Sequence, residues 1–472
     1  MVILHVSAEC YPVAKVGGLG DVVGSLPKYQ HETGITSMVV MPYYDRQFVR
    51  ESSLEVIFTS EINLGGTRLP FQVLKESTDK LGFPLHLIRI QGLLDRADIY
   101  SYPDETEQFV AFQLAVLEWL LQFTKKPDVI HCHDHQTGLI PFLMTNSARY
   151  RPRLADIPTV LTIHNAQYQG WFGWDKLHYL PEVDPWKWGM LDWHGSINSL
   201  AAGVKSCWRY TTVSPSYLEE LKLNSNGLEQ LFVMEQAKSL GILNGIDTDV
   251  WNPATDTMIA CNYNPDNVTK GKQENKRAIC KEFGLVLSKP LISFIGRLVG
   301  EKGADLLPEA ISRTLEVTKG KVSILVLGTG DPAVEEALAN LRSIYKKDYN
   351  VFIGYDEALS HLIYAGSDFL VMPSRVEPCG LNQLYAIRYG TVPVVRSTGG
   401  LKDTVVDFSL PQGYGIRFEE AEPGAISDAL IRTSELSANT PGMRLLRKRM
   451  MSLDFSWSRS ANQYIDLYKS LK

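Results

Sequence analysis

Residues 374–401 read SRVEPCGLNQLYAIRYGTVPVVRSTGGL, and the apolar run Phe369-Leu370-Val371-Met372-Pro373 leads into them. The run predicts a buried strand that stops at the proline. Glu377 falls in the following turn, Pro378 is placed to open a helix, and Gly390 to close it. Thr391–Val395 predicts the next strand, although Pro393 is awkward in a central ladder. Ser397-Thr398-Gly399-Gly400 then leads into a further helix near Leu401. Two strand-to-helix turns in succession define an α/β sheet, whose ligands bind at the carboxyl ends of its strands. One turn carries a carboxylate, and the other offers glycine-freed backbone N–H groups to an anion. That pairing suits a sugar joined to a phosphate.

The rest of the chain repeats this rhythm. Strand and helix signals alternate through both halves, which predicts parallel sheets wound by helices. Residues 54–64 and 68–74, separated by Gly65-Gly66, interrupt it as an antiparallel hairpin on the sheet's edge. The polar, weakly patterned stretch 252–273 follows Leu243-Asn244-Gly245-Ile246-Asp247. We therefore expect one domain over 1–245, a second over 246–455, and a terminal helical segment over 456–472. The picture is two Rossmann-like α/β domains facing each other across a cleft. Trp171, Trp174, Trp186, Trp188 and Trp193 crowd residues 168–195 among Gly and Pro, so no long helix is expected there. Exposed, they could stack on sugars; we read them as a packed aromatic subcore under a long loop.

Bulk properties exclude several classes. A net charge of −6 gives no general attraction to nucleic acid or an anionic membrane. No apolar run approaches spanning length, and the chain opens directly on the strand Val2–Val6 rather than a leader. Six scattered cysteines without a C-x-x-C fit free thiols in a reducing cytoplasm.

Lys15-Val16-Gly17-Gly18 follows the first strand and opens the first helix, where a turn presents donors to a phosphate or sugar. It is neither a dinucleotide fingerprint nor a P-loop. Arg297, with its planar fork, and Lys302, a point charge, follow the second half's first strand and could neutralise a diphosphate. His131, His133 and His135 would share one face of an extended chain, but they are contiguous and lack a second ligand cluster. We expect a polar strand end there, and no metal. His164-Asn165 ends the next strand as part of a sugar pocket. Glu377 lacks a paired acid, because Tyr385 stands eight positions on, which disfavours a two-carboxylate hydrolase.

These segments, Lys15-Val-Gly-Gly-Leu, His133-Asp134, His164-Asn165, Asn244-Gly-Ile-Asp, Gly296-Arg-Leu with Lys302-Gly, Glu377-Pro-Cys-Gly-Leu and Ser397-Thr-Gly-Gly-Leu, resemble in order the bacterial glycogen synthase and plant starch synthase family. The resemblance implies the two-domain GT-B fold, the last helix crossing back onto the first domain. It also implies glucose transfer from a nucleotide-diphosphate glucose, by family rule ADP-glucose, to the non-reducing end of an α-1,4-glucan such as glycogen. Configuration is retained, and no metal or cofactor takes part. Arg297 and Lys302 would hold the diphosphate with the Thr398, Gly399 and Gly400 backbone. Lys15, with Gly17 and Gly18, would approach the sugar nucleotide from the opposite domain. Glu377, Cys379, Gly380 and Leu381 would bind donor glucose hydroxyls. The His164 carbonyl would face the anomeric carbon and its ring the sugar, while Asp134, Asn165 and Asn244 line the site. Tyr355 would stack on the base. Val16 and His135 depart from many bacterial members, which have Thr and Trp there. The alternatives are UDP-glucose as donor and a non-catalytic glucan-binding homologue, which would be expected to have lost Glu377, Arg297 or Lys302. A pyridoxal-phosphate phosphorylase shares the architecture but is usually far longer. A dehydrogenase lacks its fingerprint here.

Overall fold

The structure, a computed structural model, describes residues Met1–Lys472 and divides into two α/β units. Unit 1 comprises Met1–Gly245 with Trp457–Lys472, and unit 2 comprises Ile246–Ser456. No helix is long and apolar enough to cross a membrane.

Unit 1 is built on nine strands: β1 Val2–Val6, β2 Thr36–Pro42, β3 Leu54–Leu64, β4 Thr67–Glu76, β5 Leu85–Arg89, β6 Val129–His133, β7 Thr159–Ile163, β8 Arg209–Thr212 and β9 Ser239–Gly241. Their order is β9-β8-β7-β6-β1-β2-β5-β4-β3. All pairings from β9 to β5 are parallel, and the β3–β4 hairpin adds antiparallel on the outer edge. The central strands are buried on both faces, as helix-covered parallel strands must be. Chain order reverses between β1 and β6, which makes their carboxyl ends the switch point where ligands bind. The terminal helix Trp457–Lys469 packs Trp457, Ala461, Tyr464, Ile465 and Tyr468 against Ile3, Val22 and Leu26. Burying a side chain of the size of Ile465 contributes roughly 1.5–3 kcal/mol.

Unit 2 has six parallel strands: β10 Leu291–Ile295, β11 Ser323–Gly328, β12 Tyr349–Ile353, β13 Phe369–Met372, β14 Val392–Arg396 and β15 Ile416–Phe418. The order β12-β11-β10-β13-β14-β15 puts the switch point between β10 and β13. Pro393 does lie inside β14. The Val392 N–H bonds the Asp368 carbonyl, so residue 393 turns toward β15, where pairing starts only at Val394. No ladder bond is lost.

Three expectations need correction. The helix after Glu377 begins at Asn382, because Gly380 sits at φ +75 and breaks the chain direction. The stretch read as patternless to residue 273 contains the start of a helix, Val268–Phe283. The tryptophan region forms no packed subcore: Trp171 and Trp188 are exposed and Trp186 is 93% exposed. A small sheet of Trp171–Phe172, Asp192–Trp193 and Ser196–Asn198 carries it.

Candidate functional site

In unit 1 the β1 switch-point loop organises itself around a residue that the sequence did not single out. Glu9 Oε2 accepts from the N–H groups of Val16 at 2.6 Å and Gly17 at 3.1 Å, and Oε1 accepts from the Tyr100 hydroxyl at 2.6 Å. Burial pushes the Glu9 carboxyl above its usual range, and these three bonds oppose the shift. Two donors of the glycine turn therefore serve an internal carboxylate and do not face an anion, contrary to expectation. Lys15 Nζ meets Asp21 Oδ1 at 2.6 Å. A Cβ added at Gly17 or Gly18 would meet nothing within 4 Å. Tight packing is thus not the reason for those glycines; the backbone there is open to close approach.

At the end of β6, Asp134 adopts φ 56, ψ −172, a region that non-glycine residues enter at a cost of about 1–3 kcal/mol. The strain places its buried carboxylate under the end of β7: Oδ1 accepts the His164 N–H at 2.7 Å and lies 3.5 Å from Asn165 N. Burial raises the Asp134 carboxyl to about 7, although both N–H groups favour the charged form. Asn165 turns its own Oδ1 onto Gln167 N at 3.0 Å, a local turn that carries the chain away from the strand. Asn244 is buried, and its Oδ1 lacks a hydrogen-bond partner, an orphan acceptor within unit 1.

The histidines assemble differently from the expected face. His131 and His133 stack with ring centroids 4.3 Å apart, but His135 leaves in the turn after Asp134 and meets Phe109 edge-on. His5, the register partner of His131 across β1 and β6, takes its place. These three could in principle hold a metal. Their nitrogens are instead engaged with one another and with polar neighbours: His5 Nδ1 lies 3.1 Å from His133 Nε2, and His131 bonds Tyr468 Oη and Thr162 Oγ1, each at 2.6 Å. His5 was visible as the one polar residue in the strand VILHV.

Unit 2 builds a charged site at its own switch point. Lys302 Nζ reaches both oxygens of Glu377 at 2.7 Å, and Ser374 Oγ donates to Oε2 at 2.8 Å. Glu377 is buried and Lys302 partly exposed. Arg297 follows β10 with its side chain 55% exposed, 3.4 Å from Glu301 Oε2. A solvated pair of that kind contributes little and leaves the guanidinium available. The two turns of Ser374–Leu401 press backbone to backbone. Gly400 N–H donates to the Glu377 carbonyl at 3.1 Å, and a Cβ at Gly399 or Gly400 would lie 2.1 Å from the Glu377 or Cys379 carbonyl oxygen. Only glycine fits either place. Asn382 Nδ2 donates to the Ile295 carbonyl at 2.7 Å, tying the following helix to β10. Cys379 and Thr398 are buried beside the turns, Leu381 is half-buried, and the Tyr355 ring after β12 is 83% exposed. Tyr385 stacks on Trp251 with centroids 3.7 Å apart, so the position of a second acid is filled by core.

The structure thus gathers Glu377, Lys302, Ser374, Cys379, Gly399 and Gly400 in unit 2, and Asp134, His164 and Asn165 in unit 1. Two parallel α/β units, each with polar residues at its switch point, define the class of a two-domain glycosyltransferase. The comparisons with known proteins specify it further. The family described as "Starch synthase catalytic domain" matches residues 2–234, and "Glycosyl transferases group 1" matches residues 275–444. The chain is similar to a glycogen synthase of Flavobacterium johnsoniae, 53% identical over 99% of this chain and 98% of that one. It is 38% identical to a glycogen synthase of Streptococcus pneumoniae over the full length of both. The catalytic domain of starch synthase IV from Arabidopsis thaliana, solved bound to ADP and acarbose, superposes with TM-score 0.89 at 36% identity over 99% of each chain. A sucrose-phosphate synthase from Thermosynechococcus elongatus, 17% identical, shares the fold with TM-score 0.62. The chain belongs to the bacterial glycogen synthase and plant starch synthase family, with the GT-B fold of that family.

Proposed function

We propose that this glycosyltransferase transfers glucose from ADP-glucose to the non-reducing end of an α-1,4-glucan, with retention of configuration. The observation that carries the donor is the unit 2 site, a carboxylate–lysine pair and an available guanidinium beside a glycine turn, in a fold whose starch synthase neighbour was solved with ADP. Arg297 and Lys302, beside the Thr398–Gly400 turn, receive the diphosphate, and Tyr355 stacks on the base. Glu377, Gly380 and Leu381 hold glucose hydroxyls, with Cys379 supporting the turn. In unit 1, His164, Asp134, Asn165 and Asn244 serve the transferred glucose, and Lys15 meets an approaching sugar phosphate across the open backbone at Gly17 and Gly18.

The chemistry is a front-face displacement. The acceptor hydroxyl oxygen bonds to the anomeric carbon as the bond to the diphosphate oxygen breaks, and that oxygen takes the hydroxyl proton. Cations stabilise the charge that develops on the leaving group, so no metal is required of the site. Lys302 also has a second role: on binding, it would exchange Glu377 for phosphate and release the carboxylate to the sugar. Six free cysteines fit a reducing compartment, and we assign the chain to the cytoplasm. Incorporation of labelled glucose into glycogen from ADP-glucose and UDP-glucose, measured side by side, tests the reading. Faster transfer from ADP-glucose is expected; preference for UDP-glucose overturns the donor, and no transfer from either overturns the activity.

A further inference from the structure

A continuous row of hydrogen bonds runs behind His164 into the core of unit 1. His164 Nε2 lies 3.0 Å from His133 Nδ1, His133 Nε2 lies 3.1 Å from His5 Nδ1, and His5 Nε2 lies 2.8 Å from Gln30 Oε1. We propose that His133 and His5 are positioning residues that fix His164 in a single tautomer, its proton on Nε2 and its Nδ1 lone pair presented to the sugar. The inference rests on the reading above, in which the His164 ring faces the transferred glucose.

The direction of the row follows from its far end. Gln30 Nε2 donates to Tyr468 Oη at 3.2 Å, whose single proton goes to His131 Nδ1. His131 then carries its own proton on Nε2 and gives it to Thr162 Oγ1. Gln30 Oε1 is left as an acceptor, shared by Ser37 Oγ at 2.5 Å and by His5. His5 must therefore carry its proton on Nε2, and its Nδ1 accepts. A neutral imidazole has one N–H, and the bond made by one nitrogen decides the state of the other. His133 consequently donates from Nε2 to His5 and accepts at Nδ1, so His164 donates from Nε2. Burial keeps the row uncharged: it lowers His5 to about 4 and His164 to about 3, and holds His133 well below the usual imidazole range. His164 is nearly buried too, and its backbone is clamped by Asp134, so the ring has little freedom to choose another partner.

The consequence is a requirement on the substrate. A bare Nδ1 accepts a hydrogen bond from a sugar hydroxyl and repels a group that offers only lone pairs. With the opposite tautomer the site would accept either. The row also explains the buried polar residues in otherwise apolar strands, since each ring is needed to hand the assignment to the next.

The test uses the full chain labelled with ¹⁵N-histidine. A long-range ¹H–¹⁵N spectrum at pH 7, with His164 assigned by comparison with His164→Gln, reports which nitrogen carries the proton. The expected parent result is protonated Nε2 and bare Nδ1. In His133→Phe and His5→Phe the second tautomer should appear at His164, and kcat should fall about tenfold or more with a smaller change in the KM for donor, as when an orienting partner is removed. A proton on Nδ1 in the parent overturns the proposal, as do folded variants that keep both the parent tautomer and the parent kcat. If either variant fails to fold, the parent spectrum alone decides. A parent that transfers no glucose overturns the functional reading instead, while the spectrum still tests the row.

Discussion

The two units place polar groups at equivalent positions of their sheets and treat charge in opposite ways. At the unit 1 switch point the groups are buried and pushed toward neutrality: Asp134 is raised to about 7, Glu9 is raised, and His164 is lowered to about 3. At the unit 2 switch point an acid and a base are paired, Lys302 on Glu377, with Arg297 half in solvent. On the proposed reading, the unit 1 groups recognise by neutral hydrogen bonds and shape, and the unit 2 groups stabilise an anion. A sugar joined to a diphosphate asks for both.

The strongest test of that division removes the unit 2 cations. Arg297→Ala and Lys302→Ala should each lower kcat roughly 100- to 1,000-fold, about 2.7–4 kcal/mol by analogy with deletion of an oxyanion donor. Circular dichroism should show both variants folded. Near-parent turnover in either would break the assignment of charge to unit 2.

A second test addresses unit 1 through pH. The folded Asp134 carboxyl lies at about 7, above its usual 3.8, so its stabilising contribution is complete below about pH 4 and is lost as pH rises through about 7. Asn cannot ionise but keeps an oxygen for the His164 N–H. The stability of Asp134→Asn relative to the parent, from urea unfolding, should therefore climb between pH 4 and 7 and level off above. A difference that stays flat with pH would show that Asp134 is ordinary.

The smallest effect is expected at Trp186, 93% exposed in the short 3-10 turn Pro185–Lys187 of unit 1. Trp186→Ala should change unfolding free energy by less than about 0.5 kcal/mol, as surface substitutions do. A larger loss in thermal unfolding would restore the packed aromatic subcore that the composition of residues 168–195 suggested.

What could be read in advance follows from where the signal resides. Both sheets were legible because strands such as Leu291–Ile295 and Ser323–Gly328 are short apolar runs ending in turns. The Glu377 and Ser397–Gly400 turns were legible because their role is local. The helix Val268–Phe283 was not, since its buried face carries Lys272 and Asn275 alongside Val268 and Ile279. Lys272 is accommodated only by carbonyls from Tyr364, Ala365 and Tyr389 and by Thr391 Oγ1, partners 92 to 119 residues away that no local pattern shows. Glu9 was missed for the same reason, and His5, though polar in the strand VILHV, has its partners His133 and Gln30 far along the chain. Glu9 looks like the polar end of a strand until Tyr100 and the Val16 and Gly17 N–H groups close on it. The tryptophans misled because aromatic content alone does not say which side of a loop faces water.

The contrast between the units is tested most directly by a pH titration of the ¹⁵N-histidine-labelled protein. His5 lowered to about 4, His164 to about 3 and His133 held well below the usual imidazole range by burial predict that all three rings stay neutral from pH 8 down to pH 5. A midpoint above pH 6 at His164 or His133 in the folded protein would contradict the account, because the unit 1 switch point would then carry charge.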